Sequence, residues 1–128
     1  MSANGWIAVD LDGTLAEYDG WKGIEHIGAP VEPMVRRVKA WLFEGRDVRI
    51  FTARVDGGQV ALNMGDPNGE AHRDIDMVRY HIEQWCLEHI GTILPITNVK
   101  DYGMIELWDD RCVRVITNVG EPCCGGNA

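Results

Sequence analysis

The chain has no apolar run approaching the roughly 20 residues a membrane-spanning helix needs, and its first residues lack the basic-then-apolar order of an export signal. The expectation is a cytoplasmic protein with no membrane partner. Positive charge is also scarce: 12 Lys and Arg stand against 20 Asp and Glu, for a formal net charge of −8. That balance excludes a broad electrostatic grip on nucleic acid, which takes a basic face. A local basic cleft is compatible with it, and bound divalent cations would offset part of the acidity. Cysteine is sparse as well, at Cys86, Cys112, Cys123 and Cys124. No second pair at zinc-ligand spacing accompanies Cys123-Cys124, and thiols in a cytoplasmic chain are expected reduced. Cys86 falls in an apolar helical pattern and reads as a small core residue. There is no internal repeat, and low complexity is confined to the Cys/Gly-rich tail, expected to be flexible from residue 121 to 128. With 128 residues there is room for one domain, over residues 1–120, and none for a second module or a folded cap.

Against these absences one segment stands out: Trp6-Ile7-Ala8-Val9-Asp10-Leu11-Asp12-Gly13-Thr14-Leu15. Its apolar start reads as a buried strand, and two carboxylates two residues apart follow at the strand's carboxyl end. Side chains two apart on a strand share a face, so Asp10 and Asp12 are placed to converge. Converging carboxylates repel unless a positive charge lies between them, and a hard divalent cation is the usual answer.

Four further segments read as strands, at residues 48–51, 93–96, 104–108 and 113–116. Residues 33–44 read as a helix: Pro33 opens it, Met34, Val35, Val38, Trp41 and Leu42 recur at helical spacing, and Gly45 stops it. A second helix is expected over residues 71–90. Strands alternating with helices predict a parallel sheet of about five strands in a Rossmann-like α/β three-layer sandwich, whose ligands bind beyond the strands' carboxyl ends. Two long connections, residues 16–31 and 55–70, leave that same edge and read as candidate lids.

Chemistry-bearing residues follow other strands too. The second strand runs into Thr52 and Arg54, a hydroxyl that can donate to a phosphate oxygen and a guanidinium that can clamp one. Arg54 reads equally as a surface salt bridge. The fourth strand ends in Asp109-Asp110, neighbouring acids that are costly unless solvated or neutralised by a cation. Lys100 follows the third strand, where a solvated lysine is the plain alternative. His26 lies in the first loop and could touch a leaving group; His72, His81 and His89 fall on the second helix at surface positions. Tyr18 and Trp21 could stack on a nucleotide or pack down locally.

Taken in order, these segments resemble the four motifs of the haloacid dehalogenase (HAD) superfamily of phosphotransferases. Asp10-Leu11-Asp12-Gly13-Thr14-Leu15 matches the first motif in full, Thr52 takes the second, Lys100 the third and Asp109-Asp110 the fourth. The set is similar to small capless phosphatase-type members of bacterial or phage origin. The resemblance implies a HAD-like fold and a magnesium-dependent phosphatase acting through an aspartyl-phosphate. Asp10 is then the nucleophile and Asp12 the acid/base. Mg2+ is held by Asp10, the Asp12 carbonyl, and Asp109 or Asp110. Gly13 and Thr14 in the turn, Thr52, Arg54 and Lys100 hold the phosphate. The implied partner is a phosphorylated substrate, either a small molecule or the phosphate end of a nucleic acid. The alternative is a catalytically silent phosphate- or metal-binding or interaction module of the same fold; an intact Asp10/Asp12 pair weighs against it.

Overall fold

All four residues of β1 (Trp6–Val9) are buried, the pattern of a parallel strand covered on both faces. It runs parallel to β2 (Asp47–Phe51) on one side and to β4 (Met104–Trp108) on the other, while β3 (Ile96–Thr97) adds to the far edge of β2. The resulting order is β3-β2-β1-β4, all parallel, in a computed structural model that describes residues 5–55 and 75–123. Among the described residues, two α-helices and a 3-10 turn complete the elements: α1 (Glu32–Phe43) after β1, the turn Ala53–Val55 after β2, and α2 (Ile75–His89) beyond it. This alternation is an α/β arrangement compatible with a Rossmann-like fold.

Helix α1 forms where its sequence asks for it. Pro33 occupies the first turn, where a missing N–H costs nothing, and Met34, Val35 and Val38 present one buried face. It ends at Gly45, whose φ of +82° lets the chain turn back so that the Gly45 and Arg46 amides satisfy the Leu42 and Trp41 carbonyls. Helix α2 buries Val78, Ile82, Trp85 and Cys86; burial pushes the Cys86 thiol up, as befits a core residue. The expected start of this helix at residues 71–74, His72, most of the 55–70 loop and the 124–128 tail lie outside the described residues.

Both helices share one apolar cluster with Ile7 and Val9 of β1 and Val48 and Ile50 of β2. These alternate positions define one face of the sheet. On the opposite face, Trp6 is sealed by the Arg49 guanidinium, 4.6 Å from its ring centre, and by Asp101, which accepts its indole N–H at 2.9 Å. Asp101 belongs to the short connection, residues 98–103, that crosses from β3 back to β4. The described residues therefore supply a sheet with helices on one face, where the sequence predicts three layers.

Two strand expectations change. Residues 93–96 shift to Ile96–Thr97, because Pro95 has no N–H to give and contributes only its carbonyl, which accepts from Ile50 at 2.8 Å. Residues 113–116 do not enter the sheet, which has four strands among the described residues. Instead the segment folds on itself: Val115 pairs antiparallel with Pro122, the Ile116 amide donates to Glu121, and Val113, Val115 and Ile116 stay exposed. A β-branched run signals extended backbone but cannot name its partner.

Candidate active site

The sheet order places a site before any side chain is considered. From β1 the chain proceeds to β2 on one side, yet it returns to lay β4 on the other. The gap between the carboxyl ends of β1 and β4 is thus the topological switch point, where an open α/β sheet binds its ligands. Asp10 directly follows the last residue of β1, and Asp109-Asp110 directly follow the last residue of β4. A bulge in β4, where Trp6 faces Met104 but Ile7 faces Glu106, sets this register. Beyond it Val9 faces Trp108, the Asp10 amide donates to the Trp108 carbonyl at 2.9 Å, and the three acids come out level.

Asp10, Asp109 and Asp110 each bring a carboxylate oxygen within 4.8 Å of the others. The cost shows on Asp10, whose pKa rises from 3.8 to about 7. Burial is the chief cause, followed by the charges of Asp109 and Asp110, a hydrogen bond with Asp110, and the charge of Asp12. Among the described residues none of the three forms an ion pair, and their crowded hard oxygen donors could hold a divalent cation such as magnesium.

Asp12, two residues on, lies near enough to Asp10 for its charge to help raise that residue's pKa. The regular strand ends at Val9, and the Asp12 carboxylate also has a partner of its own. Arg54 donates to it from Nε to Oδ2 at 2.7 Å and from Nη2 to Oδ1 at 2.8 Å. Arg54 is no surface salt bridge. It is buried at 4% exposure, and it also donates to the carbonyls of His26 at 2.9 Å and Ile24 at 3.4 Å. Its guanidinium lies 4.9 Å from the Trp21 ring centre. With four donor contacts made, little of the fork is left for a phosphate. Trp21 is thus one of the loop aromatics that pack down, and His26 contributes through its main chain.

The turn after Asp10 is tightly specified. Gly13 has φ +90°, which favours glycine, and a Cβ there would lie 2.6 Å from Asp110 Oδ2, so a larger residue would push the Asp110 carboxylate aside. The Gly13 amide donates to Ala16 and the Thr14 amide to Leu11, which leaves the amides of Leu11 and Asp12 without an acceptor among the described residues. The Thr14 hydroxyl accepts from the Asp110 amide at 3.0 Å. Thr52 is buried at the end of β2, its oxygen accepting from the Arg54 amide at 3.1 Å. Lys100 is exposed in the crossing connection and lines a 690 Å³ cleft with Cys112 and Arg114; none of the site acids lines it.

The first loop is pinned rather than open-ended. Its ends are bridged through Ala16 and Pro30, the Glu17 amide donates to Ala29, and Trp85 of α2 donates to the Gly28 carbonyl at 2.9 Å. One feature has no local sequence signal: a 290 Å³ open cleft beside the acids, shared by Thr14, Arg37, Trp108, Asp109 and Asp110. The Arg37 guanidinium sits 5.1 Å from the Trp108 ring centre and forms no ion pair among the described residues. Only the packing of α1 against β4, with Trp41 edge-on to Trp108 at 5.2 Å, brings it there.

No protein-family model matches the chain, and no curated protein or solved structure matches it. Among the described residues, no helix is long and apolar enough to cross a membrane.

Proposed function

We propose that this protein is a HAD-like, magnesium-dependent phosphatase that hydrolyses a phosphate monoester through an aspartyl-phosphate on Asp10. The observation that carries the reading is the gathering of Asp10, Asp109 and Asp110, from two different strand ends, within 4.8 Å at the switch point of a parallel sheet. Phosphoryl transfer is mainly a problem of positioning and charge neutralisation, and the surroundings supply means for both.

Asp10, Asp109 and Asp110, with the Asp12 carbonyl, would hold Mg2+. When bound, the ion supplies positive charge that lets an anionic nucleophile approach an anionic phosphate. A carboxylate oxygen of Asp10 attacks phosphorus in line, and the bond from phosphorus to the leaving oxygen breaks. Asp12 gives the departing oxygen a proton. Water then attacks the phosphoryl group on Asp10, loses a proton to Asp12, and releases inorganic phosphate with Asp10 restored. The Leu11 and Asp12 amides and the Thr52 hydroxyl are the donors available to the transferring oxygens. The cleft floored by Trp108 and edged by Arg37 suits the rest of the ester, whether a small molecule or a nucleic-acid end.

The test is magnesium-dependent release of phosphate from p-nitrophenyl phosphate, with Asp10→Asn as the control. Activity that vanishes with chelator and with Asp10→Asn supports the reading. No activity above that control across nucleotides, end-phosphorylated oligonucleotides and sugar phosphates defeats it.

A further inference from the structure

Arg54 lies 42 residues from Asp12, at the end of another strand, yet its guanidinium meets both oxygens of that carboxylate in a fork. The pair is unequal in burial, with the Arg54 side chain 5% exposed and that of Asp12 21%. One partner is thus fixed in the interior while the other keeps a face toward the site. A buried guanidinium must have its donors satisfied, and here the remaining ones reach Ile24 and His26 of the first loop, with Trp21 of the same loop at its face. A single side chain therefore ties three things together: the end of β2, the first loop, and the aim of Asp12.

We infer that Arg54 is a positioning residue for proton transfer to the leaving group, an inference that rests on the phosphatase reading above. A carboxylate on a freely rotating side chain samples many directions. One gripped at both oxygens has a single plane, and each oxygen keeps a second lone pair for a proton. Arg54 does not touch the ester; it acts through Asp12. Lysine cannot take its place, because a point charge on a flexible stem has no fork.

Leaving groups differ in their need for that proton. Nitrophenolate departs without one, whereas the alkoxide of glycerol 2-phosphate requires one. Arg54→Lys is expected to lower kcat/KM on glycerol 2-phosphate about tenfold more than on p-nitrophenyl phosphate. In an Asp12→Asn background the same change is expected to add less than about twofold on the alkyl ester, since the two residues act as one unit. Trp21→Leu, at a partly buried loop position, is expected to shift the ratio the same way by about threefold, and with its fold checked by circular dichroism it decides the matter if Arg54→Lys does not fold. Equal losses on both esters would mean a purely structural role and overturn the inference. A wild-type protein inactive on both esters and across the nucleotides, end-phosphorylated oligonucleotides and sugar phosphates named above removes the phosphatase reading, and this inference with it.

Discussion

Thr14 and Asp110 clasp each other across 96 positions of sequence: the Asp110 amide donates to Thr14 Oγ1 at 3.0 Å, and the hydroxyl points back to Asp110 Oδ1 at 3.4 Å. This clasp fastens the turn after β1 to the turn after β4. It fixes the separation of the carboxylates that would share a cation, since Asp10 and Asp110 stand on those two turns.

Thr14→Val keeps the shape of the side chain and removes the clasp. The Asp110 amide then loses its acceptor, at a cost to stability of about 1 kcal/mol. Magnesium affinity, measured by isothermal titration calorimetry, is expected to fall about tenfold, in keeping with the loss of a group that orients a metal ligand.

Gly13→Ala attacks the same joint from the other side. The new methyl group would meet the Asp110 carboxylate, on a backbone at φ +90° that alanine adopts reluctantly. The expected loss is about 1–3 kcal/mol of stability together with weakened magnesium binding. Thermal unfolding with and without the ion checks it: the stabilisation that magnesium gives the wild type should be largely absent.

The acids also predict how the metal-free protein responds to pH. Asp10 is raised from 3.8 to about 7 in the fold, so the folded state holds this proton more tightly than the unfolded chain does. Its contribution is complete below about pH 4 and is lost as pH rises through about 7. After allowance for the solvent that reaches this half-buried group, about 1–2 kcal/mol is at stake. Denaturant titrations from pH 4 to 8 in chelator should show stability declining over that window. Asp10→Asn should flatten the decline and be the more stable protein at pH 8.

Much of this site is readable in the sequence because it is local. An apolar strand running straight into an acid places that acid at the sheet's carboxyl edge, so Asp10, Asp109 and Asp110 follow from two short segments. Their gathering at one point needs the strand order, which the alternation of strands and helices leaves open beyond a parallel sheet. What could not be read depends on pairs distant in sequence. Nothing near Arg54 announces Asp12 as its partner, and nothing near Arg37 announces Trp108. Period-two spacing brings Asp12 near Asp10, whose pKa its charge helps raise, but it says nothing of the guanidinium that holds the Asp12 carboxylate. Residues 113–116 carry a strand composition, but the edge of β4 takes no partner from them. Lys100 shows the opposite case: its order along the chain suits the third motif, and the structure gives it an exposed place in the crossing connection.

The central claim is that Asp10 carries the phosphoryl group, and a beryllofluoride adduct tests it most directly. With magnesium, beryllium and fluoride present, fluorine NMR of the wild-type protein should show bound signals that mimic phosphoryl-aspartate, and Asp10→Asn should show none. Bound signals persisting in Asp10→Asn, or phosphatase turnover in a wild-type protein that forms no adduct, would contradict the account.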